Sequence, residues 1–114
     1  MFRAIAASAL GLLILAAGEP VPNINPEPSC RSAAERAKPI GDVEVCMRVE
    51  RAARDELVRR WAEFSPQDKA ICLPVATAGG TPTYTELLTC LDVSRNARLL
   101  REREGRPETV DRIR

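Results

Sequence analysis

The sequence predicts an all-α protein: a disulfide-stapled helical hairpin with a short connecting helix, preceded by an extended proline-rich leader. Three observations predict it. Apolar residues recur at three- and four-residue spacing over two long stretches, 42–64 and 83–105, which is the periodicity of a helix with one buried face. No stretch shows the alternation that paired strands require, and no internal repeat is present. Four cysteines lie in a chain of 114 residues, short enough for one small core that needs covalent support.

The chain opens Met1-Phe2-Arg3 and continues with fourteen uncharged residues from Ala4 to Ala17, then Gly18-Glu19-Pro20. One basic residue, an apolar run and small residues at Ala16 and Gly18 make residues 1–18 a secretory signal peptide cleaved after Gly18. The competing reading is a retained anchor, which a run stopped by Gly18-Glu19-Pro20 fits poorly, since spanning a bilayer takes about 20 apolar residues. The expectation is therefore a periplasmic or secreted protein with no stable membrane insertion once the signal is removed.

Residues 19–41 read as a leader. Four prolines fall between Glu19 and Pro28 (EPVPNINPEP), and they block helix and ladder alike, so this part is expected to be an extended spacer. A weakly helical piece follows between Cys30 and Ile40, interrupted by Pro39.

The helical domain is expected over 42–105. Asp42 caps a first helix running to about Phe64, with Val43, Cys46, Met47, Ala53, Leu57, Trp61 and Phe64 on one face. Acid-before-base pairs four apart, Glu44–Arg48, Glu50–Arg54, Asp55–Arg59 and Glu56–Arg60, read as its solvated surface. Ser65-Pro66 with Asp68 start a second helix as cap, first-turn proline and reach-back carboxylate. Pro74 is expected to end or kink it near Leu73, because its ring crowds the preceding turn and it has no N–H to donate, which leaves Val75 to Ala78 as an open extra turn. Gly79-Gly80 mark a turn. A third helix then opens at Thr81-Pro82, or at Thr83 with Glu86 as a capping box. Tyr84, Leu87, Leu88, Leu91, Arg98 and Leu99 form its broad stripe, and Gly105 stops it. The core is expected to comprise Met47, Leu57, Trp61, Phe64, Tyr84, Leu87, Leu88 and Leu91. Residues 106–114 read as a flexible polar tail.

An even number of cysteines in a short exported chain is a disulfide framework. Four cysteines allow three pairings, and helix rise ranks them. Cys46 lies about 27 Å down the first helix from Phe64, whereas Cys72 follows Ser65 by only seven residues, which disfavours Cys46 with Cys72 or with Cys90. Cys72 and Cys90 sit at nearly equal heights on either side of the turn at 79–81. The favoured pairs are Cys72 with Cys90 and Cys30 with Cys46. A zinc site or a redox pair is the alternative, but fifteen, twenty-five and seventeen residues separate successive cysteines, and neither a zinc knuckle nor CxxC exchange uses such intervals.

There is no histidine, which excludes a Ser-His-Asp triad, a Cys-His pair, a His-zinc site and CxxCH haem attachment within the chain. Removing residues 1–18 takes away Arg3 and leaves sixteen basic against sixteen acidic residues. A balanced chain of that kind is not expected to bind nucleic acid. No cofactor, metal or catalytic residue is indicated.

The run ERAARDELVRRWAEFSPQDKAIC followed by GGTPTYTELLTCL resembles an uncharacterised family of small exported four-cysteine helical proteins of Gram-negative bacteria. The shared features are Arg54, Leu57, Trp61 and Phe64 in R-x-x-L-x-x-x-W-x-x-F, and Tyr84, Leu87, Leu88, Cys90 and Leu91 in Y-x-x-L-L-x-C-L. The resemblance covers roughly Cys46 to Leu100. Pro74 and the proline-rich leader depart from the pattern. The resemblance implies helical fold and exported compartment, and it carries over no functional residue. The expected function is a non-enzymatic structural or interaction protein with an unknown protein partner. Two alternatives stand beside it: a small-ligand carrier binding between the helices, and a carboxylate-based hydrolase in which Glu50 and Glu86 line one pocket.

Overall fold

A computed structural model of the chain describes residues 20–78 and 80–105. The expected signal segment and the expected tail lie outside the described residues. Among the described residues every regular element is helical: α1 Glu27–Arg36, α2 Val43–Arg60, a single 3-10 turn Trp61–Glu63, α3 Pro66–Ala78 and α4 Tyr84–Glu104. The fold is all-α, as the periodicity predicts.

Local chemistry sets the helix ends. Asp42 stands in extended backbone and its carboxylate accepts from the Glu44 N–H at 2.9 Å, satisfying one of the amides a helix start leaves unpaired. Ser65 and Asp68 cap α3 reciprocally, each side chain accepting from the other's backbone N–H at 3.0 Å. Thr83, rather than Thr81-Pro82, caps α4, its hydroxyl accepting from the Glu86 N–H at 3.1 Å. At the far end Gly105 adopts φ 64° and donates to the Arg101 and Glu102 carbonyls, a left-handed conformation that glycine takes without a Cβ penalty.

Two elements differ from expectation. α1 begins at Glu27, three residues ahead of Cys30, inside the proline-rich stretch. Pro28 falls in its first turn, where a missing N–H costs nothing, and Arg31 closes an ion pair back to Glu27 at 2.6 Å. α3 does not end near Leu73 but runs past Pro74 through the open extra turn Val75–Ala78. Ala70, whose carbonyl loses its helical donor, is exposed and meets water. Beyond the proline, buried Ala76 holds the last turn in the core, and the Thr77 hydroxyl donates to the Leu73 carbonyl at 2.6 Å.

α4 is the central element. α2 and α3 both pack against it, and α1 packs on α2. Ile24, Ala53, Leu57, Phe64, Cys72, Ala76, Tyr84, Leu87 and Leu91 form one buried cluster. Fully burying a leucine such as Leu57, Leu87 or Leu91 stabilises by about 1.5–3 kcal/mol. Of the eight residues expected in the core, Leu57, Phe64, Tyr84, Leu87 and Leu91 are buried, and Trp61 and Leu88 are half-buried against the cluster. Met47 is half-buried and stands outside it. The reason is geometric: α4 starts opposite Glu50, so α2 one turn earlier has no α4 alongside.

Both cysteine pairs favoured by the rise argument are bridged, Cys30 to Cys46 and Cys72 to Cys90, with Cα separations of 5.5 and 5.6 Å. The first staples α1 to the head of α2. The second joins α3 to α4 across their hairpin. Each closes a loop for which the chain-entropy model gives about 3 kcal/mol. The first junction is tight: a Cβ on Gly41 would lie 2.3 Å from the Ala34 carbonyl oxygen, so only glycine lets the chain pass α1 there. No helix among the described residues is long and apolar enough to cross a membrane.

Candidate functional site

The sequence sets Glu50 near the apolar stripe of its helix and pairs it with Arg54 on the charged surface. In the structure it is 4% exposed and serves α4 instead. One carboxylate oxygen accepts from the Tyr84 N–H at 2.7 Å and the other from the Thr85 hydroxyl. A negative group thus sits on the first turn of α4, where the unpaired amides and the helix dipole both favour it. The signal for this burial was in the spacing, since Glu50, Ala53 and Leu57 are three and four residues apart and share the core-facing stripe.

Tyr84 is fixed from both ends. Its amide is held by Glu50, its ring is buried, and its hydroxyl oxygen accepts from the Ile24 N–H at 2.8 Å. That last bond joins residues sixty apart in sequence and seats the leader on the helices. Ile24 is 7% exposed and belongs to the core cluster, with Val21 packed beside it. Residues 20–26, ahead of α1, form no regular element, yet this part of the leader is more than a spacer. Sequence reading missed the contact because the prolines dictate the backbone of the leader and carry no information about what lies beneath it.

A second buried carboxylate lies at the head of α3. Burial alone would push the Asp68 carboxyl up, but the Ser65 amide, the Arg98 guanidinium and the Ser65 hydroxyl together hold it below the ordinary carboxylate value. Arg98 reaches it from α4 at 3.2 Å, which explains how an arginine comes to lie in the apolar stripe of that helix. Arg60 provides a third link. It pairs with Asp92 across to α4 and with Glu63 at 2.9 Å, and its guanidinium lies 5.2 Å from the Phe64 ring centroid. The Asp92 and Glu63 carboxylates push its pKa above the normal arginine value.

These polar groups are consumed in joining helices. All four sulfurs are bridged and no free cysteine remains, so none is a thiolate that could ligate zinc in this state. Among the described residues no three ligating side chains gather as a metal site. Glu86 is exposed and edges a depression of about 480 Å³ with Val75, Thr85, Thr89 and Cys90, whereas Glu50 is buried against Tyr84. Of the two carboxylates named for hydrolysis, Glu86 lines this depression and Glu50 does not. A second depression, of about 290 Å³, lies between α1 and α2 beside Ile40 and Val45.

The outer side of α3 is different in kind. From Ala70 to Ala78 it carries no charge, and Ala70, Ile71, Pro74, Val75, Thr77 and Ala78 are all exposed, Val75 by 66%. The outer face of α2, by contrast, carries the charges of Arg48, Arg51, Arg54, Asp55 and Arg59 among the exposed Val45, Val49 and Val58.

Comparison with protein-family models, with curated proteins and with solved structures returns no match.

Proposed function

We propose that this is a small exported protein, periplasmic or secreted, that acts by binding another protein and not by catalysis. The uncharged outer side of α3 carries this reading. A small protein seldom leaves a contiguous apolar patch open unless the patch meets something, and here Ile71, Pro74, Val75 and Ala78 stay exposed although the cluster beneath them is complete. Export is supported by the bridged state of all four cysteines, which persists outside the reducing cytosol, and by the signal-like sequence of residues 1–18. The buried carboxylates support a structural role, since Glu50 and Asp68 are both engaged with helix N-termini of the chain itself.

The test is a photo-crosslinking amino acid placed at Val75, and in a second strain at Arg51 on the charged face of α2, in cells that make the protein. The reading requires a discrete adduct from Val75 that is lost on Ile71→Glu, and none from Arg51. Equal adducts from both positions contradict it, as would hydrolysis by the purified chain that disappears on substituting one carboxylate.

A further inference from the structure

The leader rests on the helices as a bound peptide does. From Pro22 to Pro26 its residues alternate between covered and open: Pro22 is half-buried, Ile24 and Pro26 are buried, and Asn23 and Asn25 face solvent. That is the two-residue period of an extended chain lying on a surface. The prolines hold the segment extended before it docks, which lowers the entropy lost on binding. The receiving surface is rigid. Tyr84 is pinned by Glu50 at its amide, and its hydroxyl presents an acceptor to a passing backbone N–H at 2.8 Å from Ile24. Leu57, Leu87 and Leu91, all fully buried, belong to the cluster that receives the Ile24 side chain. An aromatic hydroxyl beside an apolar hollow, filled by a proline-flanked extended segment, is a recurring mode of peptide recognition.

The covalent staples do not secure this segment. Both disulfides begin at or after Cys30, so residues 20–26 lie outside every closed loop. They form no ladder with the helices; Ile24, in the core cluster, and buried Pro26 seat them, with Val21 packed alongside.

We propose that the Tyr84 surface is a peptide-binding socket, that the leader is its intramolecular occupant, and that the external ligand is an extended segment of another polypeptide with the pattern proline–x–branched aliphatic–x–proline. The idea rests on the binding role argued above but concerns a different surface from the outer side of α3. When the leader is seated the socket is closed. When it lifts, the Ile24 position and the Tyr84 hydroxyl become available together, and an external segment competes with the tethered one. The tether gives the leader an effective concentration in the millimolar range, so wild-type protein binds weakly until the leader is removed or held elsewhere.

The experiment uses the full chain with both disulfides formed, the variant Ile24→Ser, and a synthetic acetylated and amidated peptide EPVPNINPEP, followed by heteronuclear NMR. Ile24→Ser should bind the peptide saturably, with shifts centred on Tyr84, Leu57 and Leu87, and at least about tenfold more tightly than wild type, because the competing side chain is gone. A peptide with serine in place of isoleucine should not bind. Tyr84→Phe serves as a second variant: in the wild-type background it removes the acceptor and should lose hydrogen-exchange protection at the Ile24 amide, and combined with Ile24→Ser it should weaken binding of the unmodified peptide, which needs the same acceptor. A folded Ile24→Ser chain that binds no better than wild type overturns the proposal. So does unfolding of both variants, which would make the leader an integral part of the core. Either failure leaves the Val75 crosslinking result untouched, so the socket can be lost while the interaction role stands.

Discussion

Replacing Glu50 with alanine is the perturbation on which the structure and the bare sequence disagree most. Read as a surface residue paired with Arg54, its loss is worth a few tenths of a kcal/mol. The structure gives a larger figure. The substitution removes the acceptor of the Tyr84 N–H at 2.7 Å and of the Thr85 hydroxyl. Tyr84 is 3% exposed, so water cannot readily replace the carboxylate at its amide, and a buried donor left unpaired costs about 1–3 kcal/mol. Thr85 is exposed and its hydroxyl can turn to solvent, adding little. Removing a charge from the N-terminal end of α4 adds about 0.3–1 kcal/mol. The total is about 1.3–4 kcal/mol, a large share of the roughly 5–15 kcal/mol of a small domain, and corresponds to a fall in Tm of the order of 5–30 °C. The assay is urea unfolding of the oxidised protein followed by circular dichroism, with Arg54→Ala alongside. Arg54→Ala should stay within about 0.5 kcal/mol of wild type. The reasoning is refuted if Glu50→Ala is equally mild, or if Arg54→Ala costs as much as Glu50→Ala.

Three further outcomes are expected. Asp68→Asn should lower stability by about 1–2 kcal/mol at neutral pH; because the folded state holds the Asp68 carboxyl below its unfolded value of 3.8, the aspartate's contribution is present above that value and lost as pH falls through the folded one. Unfolding measured against pH should therefore show a constant gap between variant and wild type above about pH 5 that closes below about pH 4. Gly41→Ala should cost about 1–3 kcal/mol by overpacking, since its Cβ would meet the Ala34 backbone at 2.3 Å, whereas Gly80→Ala, with nothing within 4 Å, should be neutral or slightly stabilising in the same thermal melts. Pro74→Ala should raise stability by about 1–3 kcal/mol, because it restores a helical donor to the Ala70 carbonyl and relieves the crowded turn in a helix that already runs on to Ala78.

What could be read in advance follows from how local each cause is. Asp42, Ser65 with Asp68, Thr83 and Gly105 act within one turn of their own helices; the sequence places three of these caps outright and offers Thr83 as one of two starts for α4. The cysteine pairing was accessible because helix rise converts residue counts into heights, and Cys72 and Cys90 fall level only in the hairpin. Pro74 shows the limit of a local rule: the penalty is real, but Ala76 in the core and the bridge at Cys72 hold the helix across it. Contacts between distant segments were out of reach. Nothing near Glu50 announces Tyr84, thirty-four residues on, and nothing in a proline-rich leader announces that Ile24 will be buried. Arg98 is the middle case: the sequence sets it in the apolar stripe of α4, but what it meets there, Asp68 thirty residues away, is not legible locally.

The central claim is that two specific bridges hold this small helical body together outside the cytosol. Non-reducing peptide mapping of the protein taken from the cells that produce it, with free thiols alkylated before lysis, measures this directly. The expected result is Cys30 linked to Cys46 and Cys72 linked to Cys90, with no alkylated cysteine. Alkylation of all four, or peptides joining Cys46 to Cys72 or to Cys90, would contradict the account.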